Sequence, residues 1–508
     1  MTIKPERFRG GVAFITGVMA VAAFAPFGWY PVACLALAVL FNQWLADSPW
    51  QAFRHGGLFG LGFFGAGVSW VYVSIHVYGK VPVAAAATVA AALVVFLSLY
   101  PAVVGYALKR GSPIPGWRSL VLVFPAGWIL AEWVRSWLFS GFPWLHIGNS
   151  QVDSPLAGLA PVAGVYGTGL AVALSAALLV AVFRGWNRAV SLAVLCVLWS
   201  GAWLLQPVSW TEPRGAPLDV AIIQGNIAQE DKWSPDNLLH TLTRYRELTA
   251  TVTDADLIVW PETAIPAFYH QLENSLIPQL DEEMRAAGAT LLTGIPVLDK
   301  GTWQYYNSVV SLGGSPGFYY KQHLVPYGEY LPLRGLLGHS LDALAVPNAD
   351  FTPGGEDQSL LQAAGYPVAT SICYEVIFGE QLINDLPAAA LLVNVSNDAW
   401  FGKSLAPHQH LEMARMRTRE TGRPMLRATN TGISAIIAYD GRIVARSPQF
   451  EEAVLTGRIV PRQGATPYVV TGNAPVVILC VICLLLPWIA GRIRSRAAGS
   501  AGTAPPSG

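Results

Sequence analysis

Charge is scarce in this 508-residue chain: Asp, Glu, Lys and Arg make up 13% of it, against roughly a quarter in an average soluble domain. The two signs balance, and no basic stripe or run is present, which argues against a nucleic-acid partner. Cysteine is scarcer still. Four of the five, Cys34, Cys196, Cys480 and Cys483, lie in long apolar runs, where a thiol acts as a small hydrophobe. That distribution excludes a disulfide framework and leaves Cys373 alone in the more polar part of the chain. No internal repeat of fixed period is visible. His408-Gln409-His410 is a poor metal site, because residues two apart on a helix point in different directions. No metal ion and no cofactor are expected.

What the chain has in quantity is apolar sequence, 53% of its residues, with a mean hydropathy of +0.41. Long apolar runs fill residues 10 to 206 and return at 473 to 490. A membrane helix needs about 20 such residues, which gives about eight crossings, near 10–27, 29–46, 56–76, 82–108, 118–138, 163–184, 188–206 and 472–491. Ala23-Phe24-Ala25 resembles a signal-peptide cleavage site, but Pro26 follows it directly and a second apolar run comes at once, so the first helix is expected to stay. Lys and Arg collect at 4–9, 54, 109–118, 184–188 and 492–496, whereas the alternate short loops hold little beyond Lys80. The positive-inside rule then places the N-terminus inside and residues 207–471 outside. The expected organisation is a membrane domain at 1–206 with seven helices, an extracytoplasmic domain at 207–471, a last helix at 472–491 and a cytoplasmic tail at 492–508. The tail, rich in Gly, Ala, Pro and Ser from Ala497, reads as disordered. Six glycines between Gly56 and Gly67 are expected to allow close helix packing. Glu132 and Arg135, three apart on one helix, suit a structural ion pair.

The region 207–471 has another texture. Short runs rich in Val, Ile, Leu and Tyr at 218–224, 256–260, 290–297, 306–312, 368–374 and 389–396 predict buried strands. Asp440-Gly441 between two apolar runs predicts a hairpin. Helical stretches fall near 236–252, 274–287 and 407–421, so the expected class is an α/β layered domain with helices outside.

Polar residues of chemical interest follow these strands. Glu262 stands in Trp260-Pro261-Glu262-Thr263, Lys321 in Tyr320-Lys321-Gln322-His323, and Cys373 in Ser371-Ile372-Cys373-Tyr374-Glu375. Open α/β sheets gather ligands at strand ends, so the three can converge. Their types suit acyl transfer: a carboxylate removes a thiol proton, the sulfur attacks, and an ammonium lowers the thiol pKa and steadies an oxyanion. Taken singly, Glu262 reads as a helix-start or surface carboxylate and Lys321 as a solvated lysine.

These phrases together resemble the nitrilase superfamily, whose Glu-Lys-Cys triad sits on an α-β-β-α sandwich. With the helical part included, the chain is similar to the bacterial apolipoprotein N-acyltransferases. That likeness runs through Phe24-Ala25-Pro26-Phe27, Glu132-Trp133-Val134-Arg135, Gly141-Phe142-Pro143-Trp144, Gln224-Gly225-Asn226-Ile227, the 321–332 phrase KQHLVPYGEYLP and Ser396-Asn397-Asp398-Ala399-Trp400-Phe401. The resemblance implies Glu262 as general base, Lys321 as oxyanion stabiliser and Cys373 as nucleophile. It further implies supporting roles for Glu329, Tyr374 and Glu375, and a substrate-binding role for Trp233. It also implies the substrates: the sn-1 acyl chain of a phospholipid, with phosphatidylethanolamine expected, moves through a Cys373 thioester to the α-amino group of a diacylglyceryl-cysteine lipoprotein. A monomer in the bacterial inner membrane with its catalytic domain in the periplasm is the corresponding setting. A membrane-anchored amidase would share the triad but gives no reason for so many crossings. A transporter would show repeat symmetry and mid-membrane polar pairs, which this sequence lacks. Gly and Pro near 326–335 and 402–407 mark candidate lids.

Overall fold

The structure, a computed structural model, describes residues 5–111, 116–330 and 351–486. The expected tail at 492–508, the end of the last helix, Arg492, Arg494 and Arg496, and candidate-lid residues 331–335 lie outside the described residues. The chain divides into two compact units, one of Met1–Ser69, Ala90–Pro207 and Asn473–Gly508, the other of Trp70–Val89 and Val208–Gly472. The stretch 70–89, which the sequence assigns to the membrane part, thus groups with the second unit.

The first unit is helical. Among the described residues, Val83–Gly111, Pro155–Arg184 and Arg188–Leu205 are long and apolar enough to cross a membrane. A fourth span results if Pro49–Gly67 and Trp70–Tyr78, bent by 50°, count as one. Pro31–Ala46 and Ala474–Leu486 are shorter apolar helices. The expected fifth crossing is divided into a π-helical turn, Ser119–Val123, and an α-helix, Phe124–Arg135. Local chemistry sets the helix starts. Ser48 caps Pro49–Gly67 in a capping box with Gln51, and Pro49, with no N–H to satisfy, opens the helix.

Glycine then sets the spacing between helices. A Cβ on Gly62 would lie 2.2 Å from the Phe14 carbonyl oxygen, and one on Gly56 2.3 Å from that of Pro101. Gly57 and Gly65 would meet their neighbours only at ordinary contact distance, so close packing explains some of the six glycines and not those two. Glu132 accepts from Trp128 Nε1 and the Ile147 N–H, both at 3.0 Å. Arg135 donates to the Phe142 and Trp144 carbonyls at 2.7 and 2.6 Å. Both therefore brace the turn at 142–147, as a structural role requires.

The second unit is built on two six-stranded sheets. A two-stranded pair, β1 (Glu212–Pro213) with β14 (Arg462–Gln463), stands apart. The first sheet has the order β13-β2-β3-β4-β5-β6, from Ala453–Ile459, Leu218–Gln224, Leu257–Val259, Thr290–Asp299, Gln304–Leu312 and Gly317–Tyr320. The second has the order β12-β11-β10-β9-β8-β7, from Ile443–Arg446, Ala435–Ile437, Met425–Thr429, Leu391–Ser396, Tyr366–Ile372 and Leu361–Ala363. In each sheet the three central strands run parallel, β2-β3-β4 and β8-β9-β10, with antiparallel strands outside.

Alternation along β2 explains its unbroken apolar run. Val220 and Ile222 enter one core with Val393, Val395 and Leu426 of the other sheet. Ala221 and Ile223 face the opposite way, into a core with Leu242 and Tyr245 of helix Pro235–Ala250 and Leu280 of helix Leu276–Ala287. A strand buried on both faces cannot alternate polar with apolar. Helix Ala406–Thr421, most of it buried, completes an α-β-β-α sandwich. The expected hairpin is present: Gly441, at φ +81°, turns β11 into β12.

Candidate active site

Three chain segments leave parallel or edge strands and meet at one end of the sandwich. The first continues β3 through Trp260, whose N–H still reaches Leu292 O at 2.9 Å, into Pro261 and Glu262. Gly294 lets this segment cross: a Cβ there would lie 2.7 Å from Glu262 Cα. The second leaves β6 at Lys321, pinned by its N–H to Asn307 O at 2.8 Å. The third ends β8 at Ile372, one residue before Cys373, whose φ of +53° is left-handed. For a residue with a Cβ this conformation costs about 1–3 kcal/mol and survives only where its surroundings impose it.

Glu262 and Lys321 are brought together with Glu329. The Lys321 ammonium donates to Glu329 at 2.8–2.9 Å and stands 3.9 Å from Glu262 Oε1. Asn307 Nδ2 bridges the two carboxylates, donating to Glu262 Oε1 at 2.8 Å and Glu329 Oε1 at 3.1 Å. Glu329 also accepts the Val325 N–H at 2.8 Å, so the supporting carboxylate is held by its own loop. Lys321 is 1% exposed. Burial works against its charge, but Glu329 and Glu262 outweigh that and hold the ammonium well above the usual lysine range.

Cys373 keeps part of its surface open, as an attacking atom must. Burial and then the Glu262 charge push its thiol up to about 12, against Lys321 and the Ser396 hydroxyl. The sequence reading expected the ammonium to lower the thiol. It does pull that way, but desolvation and the carboxylate win, so the resting sulfur is protonated.

The remaining sequence-derived residues separate by role. Glu375 is 2% exposed and fully engaged. Its oxygens accept from Tyr319 Oη at 3.1 Å, Gln381 Nε2 at 3.1 Å and the N–H groups of Gln322, His323 and Ile372 at 2.7, 3.0 and 2.7 Å. It thereby ties the Lys321 segment to the Cys373 turn. The Tyr374 ring packs on Phe378 and His323, with centroids 5.2 and 5.9 Å away. Trp233 is 41% exposed, on the loop after β2.

Its neighbour is a residue the sequence reading missed. Lys232, 3% exposed, donates to the Glu262 carbonyl at 3.0 Å. Burial lowers its pKa to about 8, against the charges of Glu262 and Cys373. In sequence it follows Glu230 and Asp231 and reads as solvated. Asn307 was missed too, although an amide within the apolar run of β5 is the kind of buried polar group that needs a partner. The candidate lid at 402–407 follows Trp400 and Phe401, which meet the stretch 70–78: Ser74 Oγ donates to Trp400 O at 2.7 Å, and the Trp70 and Phe401 rings lie 4.8 Å apart.

Chemically, the site offers a protonated thiol, a carboxylate, a fixed ammonium and a second, softer ammonium. The family model described as apolipoprotein N-acyltransferase N-terminal domain matches residues 16–178, and that of carbon-nitrogen hydrolase matches residues 219–468. The apolipoprotein N-acyltransferase of Methylococcus capsulatus is 49% identical over 472 residues, covering 92% of this chain and 94% of that protein. Those of Nitrosomonas europaea and Pseudomonas syringae pv. tomato are 44% and 42% identical, over 94% and 95% of this chain and 96% and 97% of theirs. Among solved structures, a carbon-nitrogen hydrolase from Helicobacter pylori aligns with a TM-score of 0.36 at 16% identity, over 48% of this chain and 89% of that one. Nit3 of Saccharomyces cerevisiae, from the nitrilase superfamily, aligns with a TM-score of 0.37 at 19% identity, over 48% and 90%.

Proposed function

The chain belongs to the apolipoprotein N-acyltransferase family, and from that membership we propose a mechanism in which Cys373 carries an acyl group from one lipid to another. The protein is a membrane N-acyltransferase that moves a phospholipid acyl chain to a lipoprotein. The donor is phosphatidylethanolamine, opened at its sn-1 ester. Cys373 Sγ attacks the ester carbonyl while Glu262 takes the thiol proton. Lys321, held by Glu329, steadies the tetrahedral oxyanion. The C–O bond breaks, Glu262 returns the proton to the glycerol oxygen, and lysophospholipid leaves a Cys373 thioester. The lipoprotein's terminal amine then attacks the thioester, with Glu262 as base again. The amide forms and the sulfur regains its proton. Ester to thioester to amide needs no nucleoside triphosphate, because the last step runs downhill, and two covalent half-reactions predict ping-pong kinetics.

The observation that carries this reading is the buried Glu262–Lys321–Glu329 array, bridged by Asn307 and acting electrostatically on a thiol that a left-handed backbone presents. The hydrolysis of a small amide would use the same array, but relatives at 42–49% identity along both parts of the chain bear the acyltransferase name. The setting we propose is a monomer in the bacterial inner membrane, with residues 207–471 on the periplasmic side according to the Lys and Arg asymmetry. Trp233 is assigned to substrate binding, and Tyr374, packed on His323 and Phe378, to support of the site.

The test is intact-mass measurement after incubation of the purified protein with phosphatidylethanolamine alone. An acyl adduct is expected on Cys373, absent in Cys373→Ala and discharged by a diacylglyceryl peptide. Free fatty acid released at the same rate with or without the peptide would refute acyl transfer in favour of hydrolysis.

A further inference from the structure

Beneath Cys373 lies a set of buried polar residues that the mechanism above does not use. In the second sheet, Ser371, Asn394 and Arg427 stand abreast on β8, β9 and β10. Arg427, fully buried, donates to Asn394 Oδ1 and, at 2.8 Å, to Asp398 Oδ2. Asp398 Oδ1 accepts from Ser396 Oγ at 2.8 Å. Asn394 Nδ2 donates to Ser371 Oγ at 3.0 Å and Ser371 O at 3.2 Å. From helix Ala406–Thr421, the His410 ring reaches into this set. Its Nε2 is 3.1 Å from the Cys373 carbonyl oxygen, and its Nδ1 lies 3.0 Å from Arg427 Nη2 and 3.2 Å from Asp398 Oδ1.

These contacts fix one proton. A carbonyl oxygen only accepts, so Nε2 carries hydrogen. Nδ1 faces both a donor, Arg427, and an acceptor, the Asp398 carboxylate, and the Nε2–H is present whichever of them it serves. Burial and the Arg427 charge disfavour the imidazolium. The Cys373 carbonyl belongs to the residue whose backbone is left-handed, and the hydrogen bond from His410 fixes the plane of the peptide that follows it.

We infer that His410, clamped by Asp398 and Arg427, is a positioning residue for acyl transfer: its Nε2–H grips the Cys373 carbonyl, imposes the left-handed turn that presents the thiol, and so sets the rate of thioester formation rather than lipid affinity. This rests on Cys373 being the acyl carrier.

The experiment uses full-length protein in detergent and follows single-turnover acylation by phosphatidylethanolamine, read by intact mass, with steady-state transfer to a diacylglyceryl peptide. His410→Phe keeps the ring and its edge contact with Phe401 but loses the donor. His410→Gln keeps an N–H at similar reach, whereas the Asn side chain is too short. His410→Phe is expected to slow acylation 10- to 100-fold with KM for the phospholipid within threefold of the parent, and His410→Gln to recover to within fivefold. Should His410→Phe fail to fold, His410→Gln against His410→Asn makes the same comparison. Equal rates in the donor and non-donor variants, or a change confined to KM, overturn the inference. An acyl adduct that persists in Cys373→Ala would instead overturn the acyl-carrier reading, so the two failures are distinguishable.

Discussion

Replacing Glu262 by Gln separates two effects of one carboxylate on Cys373. After burial, its charge is the largest influence pushing the thiol up to about 12. Its basicity is what allows a protonated thiol to attack. At pH 8 a thiol near 12 is ionised in roughly one molecule in 10⁴, and a positioned base recovers about 10²–10⁴ of that loss. Glu262→Gln is therefore expected to lower single-turnover acylation about 10²–10⁴-fold at pH 8. The variant's rate should then climb roughly tenfold per pH unit towards pH 10, as hydroxide supplies the thiolate. Alkylation by iodoacetamide reads thiolate content alone and should move the other way. That charge raises the thiol pKa, and a neighbouring charge is worth about one to three pKa units. Alkylation of Glu262→Gln at pH 8 is then faster than that of the parent, by about 10-fold or more. Glutamine still accepts from Asn307, which keeps the fold around it. If alkylation falls with acylation, the charge argument is wrong; if acylation at pH 8 is unchanged, Glu262 is not the base.

Lys321→Met leaves Glu262 and Glu329 buried beside each other and is expected to cost about 3–5 kcal/mol of stability, read by thermal denaturation in detergent. Lys232→Met removes a side chain that is cationic below its pKa of about 8 and lies beside Glu262 and Cys373; iodoacetamide alkylation at pH 7 should fall about threefold or more with the melting temperature little changed. Glu375→Gln turns an acceptor from five donors into a group with its own N–H₂ and should lower stability by about 1–3 kcal/mol, again by melting temperature. Burial opposes the Asp398 charge, but the Arg427 guanidinium outweighs it, helped by the Ser396 hydroxyl, and holds that carboxyl well below the ordinary range. A depressed folded pKa gives stability that is complete above the unfolded value of about 3.9 and is lost as pH falls through the folded one. Melting temperature against pH should consequently fall less steeply below pH 4 in Asp398→Asn than in the parent.

Legibility in the sequence followed burial. Strands such as β2 and β9 read clearly because both faces are covered, so their apolar runs are continuous. Glu262 and Cys373 were visible because each stands where such a run stops, whereas Lys321 was legible only through the phrase that carries the family resemblance. Lys232 was hidden because it lies on a loop among acidic residues, and only the folded chain carries that loop to Glu262. The His410 set failed to show for another reason. Arg427 and Asn394 are charged and polar residues inside apolar strands, a visible signal, but their partner lies on the helix connecting β9 to β10, and only the fold turns it inward. Read by spacing alone, His408 and His410 raised only the question of a metal. The count of membrane crossings was blurred by the π-helical turn at Ser119–Val123 and the bend after Gly67, which break runs that hydropathy joins.

The protonated resting state of Cys373 bears on survival as well as on rate. Peroxides and disulfides react with the thiolate, so a sulfur that hides its charge until a substrate and Glu262 draw it out is a poor target for oxidants. Being the sole cysteine of its unit, it has no neighbour there to close a disulfide with. A nucleophile so built resists oxidants that reach it between turnovers.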